Sequence, residues 1–93
     1  MKNIKRWTVV FRTLANDNRL KIINMLAGGN RMNVGDIAAD LIISFKATSN
    51  HLALLKNLDV LDARGMKGHV FYSINHRMPN DFKKILAVAL KLK

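Results

Sequence analysis

The side chains open to acid–base or ligand chemistry in this 93-residue chain are three histidines and six aspartates, set beside sixteen lysines and arginines; cysteine and glutamate are missing altogether. Without a thiol there is no cysteine nucleophile, no thiolate metal site, no disulfide and no thiol redox switch. No G-x-S-x-G elbow occurs, and Gly28-Gly29 runs on into Asn30 rather than into the Lys-Ser/Thr of a phosphate loop. His69, His76 and Asp81 are what is left for a metal, at loose spacing, and a solvated turn and loop account for them better, so neither metal nor cofactor is expected. Enzymatic chemistry is not expected either, and what remains is charge. The formal net charge is +10, and residues 1–46 and 47–93 each carry eight basic and three acidic groups, so the excess belongs to the folded body and not to a tail. A nucleic acid is the usual partner of so basic a domain, with an anionic membrane surface as the second option.

The length fits one small domain over residues 1–93, and a core of that size leaves dimerisation as a natural supplement to stability. Its 49% hydrophobic and 24% charged residues are those of a globular chain. Apolar runs such as Ile85 to Leu90 are far short of the roughly 18 residues that cross a bilayer, and Met1 to Arg12 lacks the apolar core of a secretory signal, so a cytoplasmic protein is expected.

Hydrophobic spacing then supplies the elements. Ile4, Trp7, Thr8, Phe11 and Leu14 form one helical stripe, with Lys5, Arg6 and Arg12 off it. Asn16 caps a second helix carrying Leu20, Ile22, Ile23, Met25 and Leu26, which Gly28-Gly29 stops. Asn33 caps a short third helix in which Val34, Ile37, Ala38 and Leu41 face inward, and Asp36 sits near its positive end. Ser44 caps a fourth, with Thr48, Leu52, Leu55 and Leu58 as its buried stripe. From Val60 the period falls to two, and Leu61, Ala63, Val70, Tyr72 and Ile74 alternate around a Gly65-Met66-Lys67-Gly68 turn as a β-hairpin. After Pro79, Phe82, Ile85, Leu86, Ala89 and Leu92 return to helical spacing. Four helices, a hairpin and a closing helix, with a polar basic helix directly before a basic hairpin, make the layout of a winged helix-turn-helix: mainly α with a small β-hairpin.

Two stretches carry a closer likeness. Leu14-Ala15-Asn16-Asp17-Asn18-Arg19-Leu20-Lys21-Ile22-Ile23-Asn24-Met25-Leu26 resembles the L-A-[DN]-x-x-R-L-x-I-[LI]-x-x-L opening of the ArsR/SmtB family of transcriptional repressors. Ile43-Ser44-Phe45-Lys46-Ala47-Thr48-Ser49-Asn50-His51-Leu52-Ala53-Leu54-Leu55 resembles that family's L-S-x-x-x-[VA]-S-x-H-L-x-x-L recognition helix, and Val70-Phe71-Tyr72-Ser73-Ile74 its second wing strand. In order, these span roughly residues 14 to 74.

The resemblance implies a homodimeric repressor on a near-palindromic DNA operator, helix four of each subunit in a major groove. Ser44, Lys46, Ala47, Ser49, Asn50 and His51 are then the recognition-helix set. Asn pairs bidentately with adenine, Lys donates to guanine, Ser bonds a base or a phosphate, and Ala47 meets a thymine methyl. Arg64, Lys67 and His69 of the wing run along the backbone or in the minor groove and add affinity more than specificity. His51 bonds nearby backbone or phosphate, and Arg19 is either a structural bridge from helix two or a phosphate contact. The family's metal-sensing ligands, Cys-x-Cys on the third helix or Asp, His and Glu on the last, are not present: the third reads Asn33 to Leu41 without a thiol, and the last has Asp81 but neither His nor Glu. Where relatives carry a glycine after the recognition helix this chain has Asp59, and Asn57 is the candidate for the left-handed cap instead.

Val88 and Leu90 make the last helix apolar nearly all round, which burial within one subunit or packing against helix one of a second would satisfy. The expected dimer contacts are Ile4, Trp7 and Phe11 with Phe82, Ile85, Val88, Ala89 and Leu92. Trp7 and Phe11 serve equally as core anchors. The reading from another class is a winged-helix interaction module whose basic face meets an acidic protein. The sequence names no effector.

Overall fold

The computed structural model describes residues 1–91, which run in the order α1 (Ile4–Leu14), α2 (Asp17–Leu26), β1 (Met32–Asn33), α3 (Val34–Leu41), α4 (Phe45–Asn57), β2 (Leu61–Met66), β3 (His69–Ile74) and α5 (Asn80–Lys91). Each N-cap read from the sequence is made. The Asn16 Oδ1 accepts from the Arg19 amide at 3.0 Å, the Asn33 Oδ1 from Asp36 at 2.9 Å and the Ser44 Oγ from Ala47 at 3.0 Å, each satisfying one amide that a helix start leaves without a partner.

Two helix ends share one device. The Ile43 amide reaches back to the Ala38 carbonyl (3.3 Å) and the Val60 amide to that of Leu55 (2.9 Å), with the preceding residue left-handed in both: Ile42 at φ 57° and Asp59 at φ 63°. This is a Schellman closure, in which glycine is the usual left-handed residue. Asp59 therefore takes the role itself, and Asn57 remains helical. The Asn75 side-chain amide donates to the Asp59 carbonyl at 3.0 Å, and its backbone amide to Val60 at 3.0 Å, fastening the helix end to the chain leaving β3.

The sheet has three strands where a hairpin alone was expected, in the antiparallel order β1-β3-β2. Met32 pairs with Tyr72 and Asn33 with Phe71, while Leu61 opposite Ile74 and Met66 opposite His69 bracket the hairpin. Lys67 (φ 50°) and Gly68 (φ 81°) are its two-residue tip, both left-handed as the twist of a tight hairpin requires, and Gly65 is a strand residue facing Val70. Asn33 is both the last residue of β1 and the cap of α3.

Val10, Ile22, Ile23, Leu26, Ile37, Leu52, Leu55, Val60, Leu61 and Phe82 are shut off from solvent in one core drawn from α1 to α5 and β2. Thr48 is buried among them, its hydroxyl donating to the Ser44 carbonyl at 2.9 Å. Phe82 is thereby corrected: its ring fills the protomer's own core and is not available to a dimer face. The guanidinium of Arg6 lies 5.4 Å from that ring and pairs with Asp81 at 2.7 and 3.1 Å, locking α1 onto α5. No helix among the described residues is long and apolar enough to cross a membrane.

Candidate nucleic-acid interface

Helix α4 is held from behind by Thr48, Leu52 and Leu55, which are buried at i, i+4 and i+7. At 100° per residue this turns Lys46, Ser49, Asn50 and Ala53 to the opposite side. Lys46, Asn50 and Ala53 are exposed and Ser49 is half-buried. Ser44 is exposed, with its hydroxyl oxygen already accepting the Ala47 amide, while Ala47 itself is half-buried.

His51 stands on the flank toward α2. Its Nδ1 is 3.3 Å from the Arg19 Nη1. A guanidinium only donates, so Nδ1 accepts and a neutral ring carries its proton on Nε2. Burial and, second to it, the Arg19 charge hold the imidazole below its ordinary pKa of 6.5, which favours that neutral form. Arg19 is the bridge foreseen as one of its two roles: its Nε donates to the Thr13 carbonyl at 2.7 Å and its Nη2 to that of Arg12 at 3.1 Å. One cation thus satisfies carbonyls at the end of α1, where the helix dipole favours it, and sets the ring on α4.

Across the front, the hairpin carries the second group. Arg64 is exposed opposite Phe71, Lys67 occupies the tip, and His69 meets the Phe71 ring edge-on at 6.4 Å. The start of α3 and the wing border a cleft of about 510 Å³, with Asn33, Val34, Gly35 and Asp36 on one side, Gly68, His69 and Val70 on the other, and Phe45 as its contribution from α4. Phe45 is the residue that pattern reading passed over. Its spacing to Thr48, Leu52 and Leu55 marks it as core, yet it lies one turn beyond the core's edge and is exposed.

Away from this face, Ile4 (64% exposed), Phe11 (51%) and Val88 (60%) stay open to solvent, and Ala89 is exposed as well. Trp7 is half-buried and stacks on Phe11 with centroids 5.7 Å apart; Ile85 packs partly against the core. Leu92 lies outside the described residues. Among the described residues no three His or Asp side chains gather as a metal would need, and Asp81 is engaged by Arg6.

Residues 16–63, from the cap of α2 to the middle of β2, match the family described as bacterial regulatory protein, arsR family. The chain belongs to that family. The transcriptional repressor SdpR of Bacillus subtilis is 35% identical over 72 residues, covering 77% of this chain and 79% of SdpR. The transcriptional activator HlyU of Vibrio cholerae is 34% identical over 74 residues, covering 80% of this chain and 68% of its own. Its solved structure superposes with a TM-score of 0.78 at 30% identity, over 98% of this chain and 95% of that one. The homodimeric winged helix-turn-helix DNA-binding domain of Mb0332 from Mycobacterium bovis gives 0.76 at 25% identity, over 96% and 79% of the two chains. This arsR-family chain is a DNA-binding transcriptional regulator of winged helix-turn-helix fold, and its relatives are regulators of transcription rather than enzymes.

Proposed function

We propose that residues 1–93 form a single domain that acts in the cytoplasm as a homodimeric repressor, binding an inverted-repeat operator with α4 of each protomer in a major groove and the wing along the flanking backbone or minor groove. The observation that carries this reading is the outward face of α4: Lys46 and Asn50 are exposed on a helix whose back is locked into the core. A major groove admits one helix, and these are side chains that pair with base edges there. Arg64, Lys67 and His69 lie to one side of it in an excess of positive charge, suited to phosphates. Ile4, Phe11, Val88 and Ala89 give the terminal helices an open apolar face for the second protomer, in keeping with the homodimer described for Mb0332. Repression is supported by the name of SdpR.

The test is selection of bound fragments from a genomic library by the purified protein, then titration of the best fragment at two salt concentrations. An inverted repeat bound far more tightly than scrambled DNA is expected, with affinity falling roughly 10³–10⁵-fold between 50 and 200 mM salt if about 6–10 phosphates are neutralised. Uniform weak binding to every fragment would sink the operator reading.

A further inference from the structure

Phe45 opens α4, directly after its capping Ser44 and before Lys46, and 63% of it is exposed. The aromatic pairs of the described residues are Trp7 with Phe11 and His69 with Phe71, so the Phe45 ring stacks on no partner there. At 100° per residue Phe45 falls at the edge of the buried stripe, on the side of Ser49 and away from Ala47 and His51, where Arg19 is bonded, and it is its place in the first turn that leaves it exposed. Phe45 is therefore at the leading end of the helix, on the wall of the cleft that Gly68, His69 and Val70 close from the wing. Its surroundings choose among apolar partners. Lys46 is adjacent and the chain carries +10, which suits an apolar feature borne on a polyanion. On base edges in the major groove that feature is the C5 methyl of thymine. Ala47, expected from the sequence to meet that methyl, offers one half-buried methyl group, whereas the ring of Phe45 is exposed.

We propose that Phe45 is a specificity-determining residue, reading a thymine methyl at the wing-side edge of each half-site. This rests on the docking of α4 described under Proposed function, and the experiment separates the two. Each thymine of a duplex selected by wild-type protein is replaced in turn by deoxyuridine, which keeps every hydrogen-bonding atom and lacks the methyl. At one thymine per half-site affinity falls about fourfold, the worth of one buried methyl-sized group, and replacement in both half-sites costs roughly fifteenfold. Phe45→Ala binds the thymine and deoxyuridine duplexes equally well, and Phe45→Leu retains part of the preference. Phe45 is outside the core, so a thermal melt near that of wild type accompanies both variants. Indifference of the wild type to deoxyuridine at every position, with selective binding intact, overturns the role of Phe45 alone. Full thymine preference in Phe45→Ala does the same. Failure of the wild type to select any sequence overturns the docking and this inference together.

Discussion

Asn50 and Lys67 separate two jobs that single side chains do on DNA. Asn50, exposed on the outward side of α4, has the amide needed for bidentate contact with adenine, so Asn50→Ala should cost about 1–3 kcal/mol on the operator and relax the preference at one base pair, read by competition with single-base variants. Lys67 at the wing tip carries only charge, so Lys67→Ala should weaken all sequences alike and lower the slope of log affinity against log salt by about one. His51 makes a different prediction, on stability. Its folded pKa lies below 6.5, so the unfolded chain takes up the proton more readily than the folded one. Its share of stability is complete above pH 6.5 and is lost as pH falls from there toward the depressed folded value, levelling off below it. Asp81, lowered chiefly by its hydrogen bond from Arg6, contributes stability above its ordinary 3.8 that is lost as pH falls from there through its depressed value. Urea unfolding at pH 7.5 and 5 should show a drop in wild type that is reduced in His51→Gln; an equal drop in both would remove His51 as its source.

At the scale of elements, the turn between α3 and α4 holds the clearest strain. Ile42 is 89% exposed and left-handed, a conformation whose cost to a β-branched side chain is about 1–2 kcal/mol and which glycine adopts freely. Ile42→Gly should raise stability by about 1 kcal/mol, or roughly 4–8 °C in Tm for a chain of this size, measured by thermal melting. Asp59→Gly should gain less, because aspartate tolerates the region better. The caps at Asn16, Asn33 and Ser44 were legible because each depends on one side-chain oxygen and the amide three residues on. β1 was not, since two residues have no period and their pairing with Tyr72 and Phe71 is some forty positions distant. Phe82 was misplaced and Phe45 passed over for a shared reason: spacing tells which side of a helix a residue is on but not how far along that helix the protein's own core extends. Phe82 was placed outside the core and is within it, and Phe45 spaces as core and stands beyond it.

For the molecule as a whole, the open apolar face on α1 and α5 is, in the proposed homodimer, what links assembly to DNA affinity. Phe11→Glu or Val88→Glu should convert a dimer of twice 10.5 kDa to a monomer by light scattering and weaken binding to the full inverted repeat by about tenfold or more, since two linked half-sites bind more tightly than one. The core residues of either variant are untouched, so its fold should persist at a somewhat lower Tm. Asn33 adds a constraint of another kind. Because one residue ends the strand beside the wing and begins the helix before α4, there is no linker between the wing's sheet and α3. In the proposed dimer each protomer is then the jaw of a caliper. Inserting a single base pair at the centre of the operator swings one half-site about 34–36° around the DNA axis, at 10–10.5 base pairs per turn, and should weaken binding of the proposed dimer, read by titration against the uninserted operator. Distance and angle between half-sites would thus be measured as strictly as the bases within them.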